Sequence, residues 1–274
     1  MKEYKLAAFD MDGTLLDSQK KIRKDSIEAL ARASQLGKKL CLLTGRNEKE
    51  IDAYKQELYM LDYFLCISGA LILDKNGSTV FSKCIDYDTV LKLFEISHKA
   101  DVIIHIHSDK SRFQPQDIDK LREYGMGAYT EMFKRISTFH DSLEDDYKEK
   151  PFPVYKFNFY CKNTDVRNYL HQLADGLPIM VCHAEALSFE CTPVGITKGF
   201  GIEYICNREG IDISEAIAVG DADNDLDMLR AAGLGVAMGN GNENAKAAAD
   251  VIVADCDNGG IAEAINKYLI GEQR

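Results

Sequence analysis

Two short acidic runs carry the residues most suited to chemistry. The first is Asp10-Met11-Asp12-Gly13-Thr14 and the second is Gly220-Asp221-Ala222-Asp223-Asn224-Asp225. Each directly follows a short apolar segment that reads as a strand, and each leads into a helical pattern. One such run alone would be accounted for by a turn or by helix capping. Two at strand ends of one sheet ask for more, because on neighbouring strands their carboxylates would converge and repel unless a cation joined them. Magnesium suits such a point, since it prefers oxygen ligands and keeps several waters. An acidic metal site that meets phosphate also needs donors for the phosphate oxygens. Thr44 offers a hydroxyl together with backbone N–H groups beside Gly45, and Lys198 offers an ammonium where a helix opens.

The elements that must position these residues follow an alternating rhythm. A strand over Tyr4 to Phe9 precedes the first acidic run. A helical pattern with Ile22, Ile27, Leu30 and Ala31 then stops at Gly37. Leu40-Cys41-Leu42-Leu43 is a continuous apolar run suited to a parallel strand covered on both faces. It ends at Thr44-Gly45-Arg46-Asn47, and another helix begins near Glu48. The pattern predicts an α/β fold, a doubly wound, mostly parallel Rossmann-like core. After Asn76-Gly77, a strong hairpin signal, the rhythm changes. Helices at Thr89 to Lys99 and Asp165 to Leu173 mix with strands at Val102 to His107, Val154 to Tyr160, Ile179 to Cys182 and Leu187 to Cys191. Consecutive strands without crossover helices predict an inserted α+β domain. Asp141 to Lys150 reads as an exposed loop or frayed helix. The α/β rhythm resumes near Gly195, with strands at Ile217 to Val219, Leu234 to Ala237 and Val251 to Val253. The expected organisation is a core of residues 1–83 and 191–274 interrupted by a domain of residues 84–190.

Composition narrows the class. The chain has 274 residues, 46% of them hydrophobic and 28% charged, which fits a globular protein able to bury its own core. Its formal net charge of -11 argues against a nucleic-acid partner, which needs a basic surface. No apolar stretch approaches the ~18 residues of a membrane helix, so no membrane partner is expected. The 8 cysteines form no CxxC pair and mostly lie in apolar runs, so they read as buried thiols rather than disulfide or zinc ligands. A reducing cytoplasm is the expected location.

The acidic runs, with Thr44-Gly45-Arg46 and Lys198 between them, resemble the four ordered motifs of the haloacid dehalogenase superfamily of phosphatases. An insertion of about a hundred residues between the second and third motifs resembles the Cof-type subfamily with its type-IIB cap. Gly235 to Asn240 and Lys246 to Asp250 are similar to that subfamily as well. Three positions depart from its pattern: Ser68 stands where Asn is common, Ala222 where a small polar residue is common, and Gly241 where Ala is common. The resemblance implies a phosphatase acting on a small phosphorylated metabolite as monomer or homodimer. Asp10 would attack phosphorus, and Asp12 would serve as general acid and base. Mg2+ would be held by Asp10, the Asp12 carbonyl and Asp221. Thr44, Gly45, Lys198 and Asn224 would bind phosphate or orient its ligands, with Asp225 and Ser68 in support.

The insertion would select the substrate. His105 and His107, two apart on one strand face, with Lys156 and Arg112, are its candidate contacts. Solvent-facing strand positions are the plainer account of the histidines, and sheet packing or an interdomain hinge that of Glu190. Two rival classes remain open at this stage. One is a phosphotransferase or phosphomutase, in which a sugar hydroxyl replaces water. The other is a non-catalytic phosphate-responsive or metabolite-sensing module, against which Asp12 and the insertion both speak.

Overall fold

The computed structural model describes residues 3–183 and 185–272. The chain begins with β1 (Leu6–Phe9), β2 (Lys39–Leu43), β3 (Tyr63–Cys66), β4 (Leu71–Asp74) and β5 (Thr79–Ser82). It continues through β6 (Val102–His107), β7 (Ser111–Phe113), β8 (Thr138–Phe139), β9 (Lys156–Cys161), β10 (Ile179–Cys182) and β11 (Ser188–Pro193). The last strands are β12 (Ala216–Gly220), β13 (Leu234–Ala237) and β14 (Val251–Ile252).

Two compact units result. Met1–Gly45, Ala53–Phe81 and Thr197–Arg274 form the first, and Arg46–Asp52 with Ser82–Ile196 the second. These bounds differ from the sequence expectation in three places, the smallest being residues 82–83, which fall with the inserted unit. Arg46–Asp52 joins the inserted unit because Asn47 and Glu50 hydrogen-bond to Ser111 of β7. Residues 191–196 join it because β11 stays paired with β10 as far as Pro193, and Thr192 Oγ1 donates to the Ile196 carbonyl.

The first unit carries an 8-stranded sheet in the order β14-β13-β12-β1-β2-β3-β4-β5. β1 pairs in parallel with both β2 and β12. The chain therefore builds outward from β1 on one side through β2 and β3, and on the other through β12, β13 and β14. The reversal of strand order beside β1 leaves a crevice at the carboxyl ends, the usual ligand position in open α/β sheets. At β4 the sheet turns antiparallel to its neighbour β3. Leu6 and Ala8 pack against Ile202, Ile205 and Met228 on one face, while Ala7 and Phe9 on the other face are equally buried. Burying a side chain of Leu or Phe size is worth about 1.5–3 kcal/mol, so the unbroken apolar runs hold these strands in the sheet and leave the polar residues at its edge.

The inserted unit carries a 6-stranded sheet, β10-β11-β9-β6-β7-β8. Its strand pairs are antiparallel except β7 with β8. Phe157, Phe159, Phe189 and Ile106 point to one face and pack with Val90, Leu93 and Phe94 of the helix Tyr87–Ser97 and Leu170 of the helix Thr164–Ala174. Alternation puts His105, His107, Lys156 and Asn158 on the other face. The stretch expected as a loop or frayed helix contains an ordered helix, Leu143–Glu149, capped by Ser142. Leu143 and Tyr147, four apart, anchor it in the same apolar cluster. No helix among the described residues is long and apolar enough to cross a membrane.

Candidate active site

Strand register brings the two acidic runs together. Phe9 lies opposite Val219, so Asp10 and Asp221 follow neighbouring strands within one or two residues of their paired ends. The Asp10 N–H donates to the Val219 carbonyl at 3.0 Å and locks this alignment. On the other flank of β1, Phe9 lies opposite Leu42, which places Thr44 just past the end of β2. The Thr44 N–H donates to Leu65 O, and the Ser68 N–H donates to Thr44 O, both at 2.9 Å. Thr44, Gly45 and Ser68 therefore share the carboxyl edge that carries Asp10.

Carboxylate oxygens of Asp10, Asp221 and Asp225 all lie within 4.8 Å of one another. Lys198 Nζ sits among them, 2.5 Å from Asp10 Oδ1 and 2.6 Å from Asp225 Oδ1. It opens the helix Lys198–Glu209, where the helix dipole disfavours a cation, so the paired carboxylates must compensate. Burial alone would strip its proton, but Asp10 and Asp225 outweigh that and hold the ammonium above lysine's ordinary range. Asp225 is spent on structure: its Oδ2 accepts the N–H groups of Asp221 at 2.9 Å and Ala222 at 3.1 Å. Asp10 and Asp221 keep oxygens for other partners.

Among the described residues, one ammonium faces three carboxylates here, those of Asp10 and Asp225 buried and that of Asp221 half-buried. Burial, helped by the neighbouring carboxylates, pushes the Asp10 carboxyl upward against the pull of Lys198. Burial and Asp225 likewise raise Asp221 to about 6. A hard divalent cation with oxygen ligands is what such a surplus calls for. The donor set therefore fits a hard divalent cation, with Asp10 and Asp221 as the side chains best placed to hold it.

Close packing fixes the loop around these groups. Gly13 has a φ of +81°, and a Cβ there would stand 2.4 Å from Asp221 Oδ2. A Cβ on Gly220 would meet the Asp225 carboxylate at 2.6 Å. Thr14 Oγ1 donates to Asp221 Oδ1 at 2.9 Å. Asn240 Nδ2 donates to the Gly13 carbonyl at 2.8 Å, and the Asn242 N–H to the Asp221 carbonyl at 2.9 Å. At Gly241, the departure from the subfamily pattern, an added Cβ would stand 2.9 Å from Met238 O, so glycine fits this backbone as it lies.

Some predicted residues stand apart from the cluster. Asp12 is partly exposed and pairs with Lys20 at 2.8 Å. Asn224 lies on the short turn Asp223–Asp225, partly exposed. Ser68 has φ 56° after Ile67 at 53°, and its Oγ is buried with no hydrogen-bond partner among the described residues.

In the inserted unit the expectation of solvent-facing histidines is corrected: His105 and His107 are 0% and 3% exposed, with rings 4.1 Å apart. Burial keeps both well below the usual histidine pKa, hence neutral. They lie with Glu50 in a second buried group whose ligand-type atoms fall within 4.8 Å. Lys156 is buried on Glu190 at 3.0 Å, which makes Glu190 a sheet partner. Arg112 is held by Asp109, Ser108 and His140 and lies 4.1 Å over the Phe152 ring. Sequence reasoning missed Thr14, Lys20, Asn240, Glu50 and Ser111. Thr14 and Asn240 lie inside stretches singled out above without a role of their own, and Glu50 had a local signal, the Asn47-x-x-Glu50 spacing of a capping box.

Comparison with known proteins agrees with this geometry. The family model of the haloacid dehalogenase-like hydrolases matches residues 7–265. The 5-amino-6-(5-phospho-D-ribitylamino)uracil phosphatase of Bacillus subtilis is 25% identical over 269 residues, covering 98% of this chain and 97% of that protein. A haloacid dehalogenase-like hydrolase from Bacteroides thetaiotaomicron superposes with a TM-score of 0.81 at 28% identity, covering 97% of this chain and 99% of the other. A HAD subclass IIB sugar phosphatase shares the fold at a TM-score of 0.82 and 24% identity, covering 95% and 97% of the two chains. With strand-end motifs, an inserted unit and a family match over nearly its whole length, this chain belongs to the haloacid dehalogenase-like hydrolases, in their Cof-type subfamily.

Proposed function

We propose that this phosphoric monoester hydrolase is a magnesium-dependent phosphatase of small phosphorylated metabolites that works through an aspartyl-phosphate on Asp10. The observation that carries the reading is the buried excess of carboxylate over ammonium at the carboxyl ends of β1 and β12.

Lys198 occupies Asp10 Oδ1, which leaves Oδ2 as the attacking oxygen. In the first step that oxygen forms a bond to phosphorus, and the bond to the leaving oxygen breaks. Asp12, two residues on, gives its proton to the departing alkoxide. In the second step Asp12 takes a proton from water, whose oxygen attacks phosphorus and frees the Asp10 carboxylate. Asp10, Asp221 and the Asp12 carbonyl would hold magnesium, which when bound would neutralise charge at the phosphoryl oxygens. Thr44, the N–H groups beside Gly45, Lys198 and Asn224 bind or orient those oxygens. The orphaned Ser68 hydroxyl, on a backbone turn of strained φ, is a further donor in search of an acceptor.

Phosphate-monoester hydrolysis needs accelerations up to ~10²¹, whereas a single general acid supplies about 10²–10⁴. The covalent step, metal and positioned donors must therefore act together. The inserted unit is proposed to choose among leaving groups, and the chain to work in the cytoplasm as monomer or homodimer without nucleic-acid or membrane partners. A screen of phosphorylated metabolites with magnesium tests the reading. Wild type should release phosphate and lose that activity to a chelator, and Asp10→Asn should fall to background. Turnover by Asp10→Asn equal to wild type would sink it.

A further inference from the structure

The helix after Thr44-Gly45 belongs to the inserted unit, although in sequence it lies within the other. The chain leaves the first unit after Gly45 and re-enters it at Ala53. The helix between, Glu48–Ile51, is a single turn of 4 residues. Isolated helices shorter than ~12–15 residues are marginal in water, so outside contacts must hold it.

Those contacts converge on Glu50, which is 5% exposed. Its N–H donates to Asn47 Oδ1 at 3.1 Å, and its Oε2 accepts the Asn47 N–H at 3.2 Å. Its Oε1 accepts from Ser111 Oγ at 2.8 Å and from Asn47 Nδ2 at 3.0 Å. Ser111 Oγ also lies 3.0 Å from His105 Nε2, and His105 Nδ1 lies 2.7 Å from Tyr160 OH. With Glu50 ionised, proton accounting orders the chain. Ser111 has a single hydrogen and gives it to the carboxylate. His105 must then donate from Nε2 to Ser111, and its Nδ1 must accept from Tyr160. Donors thus run from Tyr160 on β9, through His105 on β6 and Ser111 on β7, to Glu50. Arg46 Nη1 adds a bond to the Glu50 carbonyl at 3.3 Å. Glu50, His105 and His107 are close enough for a metal. However, both His105 nitrogens and both Glu50 oxygens are already engaged, so the group is a hydrogen-bonded joint.

We propose that Glu50 is a positioning residue, through which the inserted unit holds residues 46–52 and so fixes Thr44 by way of the Gly45–Arg46 peptide bond. The proposal rests on the reading of Thr44 as a phosphate donor. Its test compares Glu50→Ala, Glu50→Gln, Thr44→Ala and the double variant Glu50→Ala/Thr44→Ala. Each is assayed with magnesium and p-nitrophenyl phosphate, with inorganic phosphate as competitor. Glu50→Ala should raise KM and weaken phosphate inhibition by about tenfold, with a smaller change in kcat, the size expected for coupled residues of one network. Glu50→Gln, which keeps an acceptor for Ser111 and Asn47, should recover most of that loss. The double variant should be no weaker than Thr44→Ala alone. Ser111→Ala should show the same signs at smaller size, and decides the matter should Glu50→Ala fail to fold. Wild-type KM and phosphate inhibition in Glu50→Ala, or losses that simply add in the double variant, would overturn the proposal. Wild-type behaviour of Thr44→Ala would instead remove the phosphate reading beneath it.

Discussion

Each unit buries a cluster of titratable side chains, and the two clusters are built on opposite principles. In the first unit, the carboxylates of Asp10, Asp221 and Asp225 share one ammonium and remain short of positive charge. In the inserted unit, Glu50 is the carboxylate beside two neutral histidines, and hydroxyl and amide donors saturate it. Burial is common to both. The unbalanced cluster asks for a cation, while the saturated one serves as a joint. An unpaired buried charge costs several kcal/mol, so a protein keeps such an imbalance only where a ligand relieves it.

The sharpest way to break this contrast is to remove the ammonium that Asp10 and Asp225 share. Lys198→Met should destabilise the first unit by about 3–5 kcal/mol, because it strands Asp10 and Asp225 in a buried site. Urea unfolding at neutral pH measures it, and a change below about 1 kcal/mol would show that the carboxylates are not a mutually repelling set.

The second cluster should answer to pH. Burial raises the Glu50 carboxyl to about 7, against its ordinary 4.5. Between those values the folded state keeps a proton that the unfolded chain has lost. The Glu50 contribution therefore stabilises fully below about pH 4.5 and declines as pH rises toward 7, by roughly 3 kcal/mol in all. His105 and His107, held neutral, act in the opposite sense over the same range. The Glu50 part is accordingly the difference between wild type and Glu50→Gln in unfolding free energy from pH 5 to 7. Parallel profiles for the two proteins would contradict it.

The smallest expected effect sharpens the comparison from the ligand side. Magnesium at about 100 times its Kd should stabilise the first unit by about 2.7 kcal/mol, seen as a rise in Tm. Asp221→Asn should remove most of that rise, whereas His107→Gln should leave it intact. An equal rise in Asp221→Asn would place the ion elsewhere.

How far each cluster could be read in advance follows from where its partners lie. Asp10 and Asp221 were legible because each ends an apolar strand, and parallel neighbours bring their next residues together. Thr44 was legible for the same reason. Lys198 by itself reads as a surface lysine, and only its order among the other motifs marked it. Asp225 looked like one more capping acid, while its actual load, one ammonium and two backbone N–H groups, depends on a fold-specific turn. His105 and His107 were placed on one face, but nothing local says whether that face meets water. The histidines are covered partly through Asn47 and Glu50, which lie about sixty residues away in the chain.

The amino-acid order alone determined which strands end in chemistry, since apolar runs and the polar residues that stop them are local properties. It likewise determined that a second domain interrupts the first, through the change from alternating to consecutive strands. Tertiary structure decided the rest: which oxygen Lys198 holds, why Asp225 serves its neighbours, and that residues 46–52 side with the insertion. Those outcomes turn on hydrogen-bond geometry at the scale of tenths of an ångström between residues remote in the chain, which only strand register and packing set.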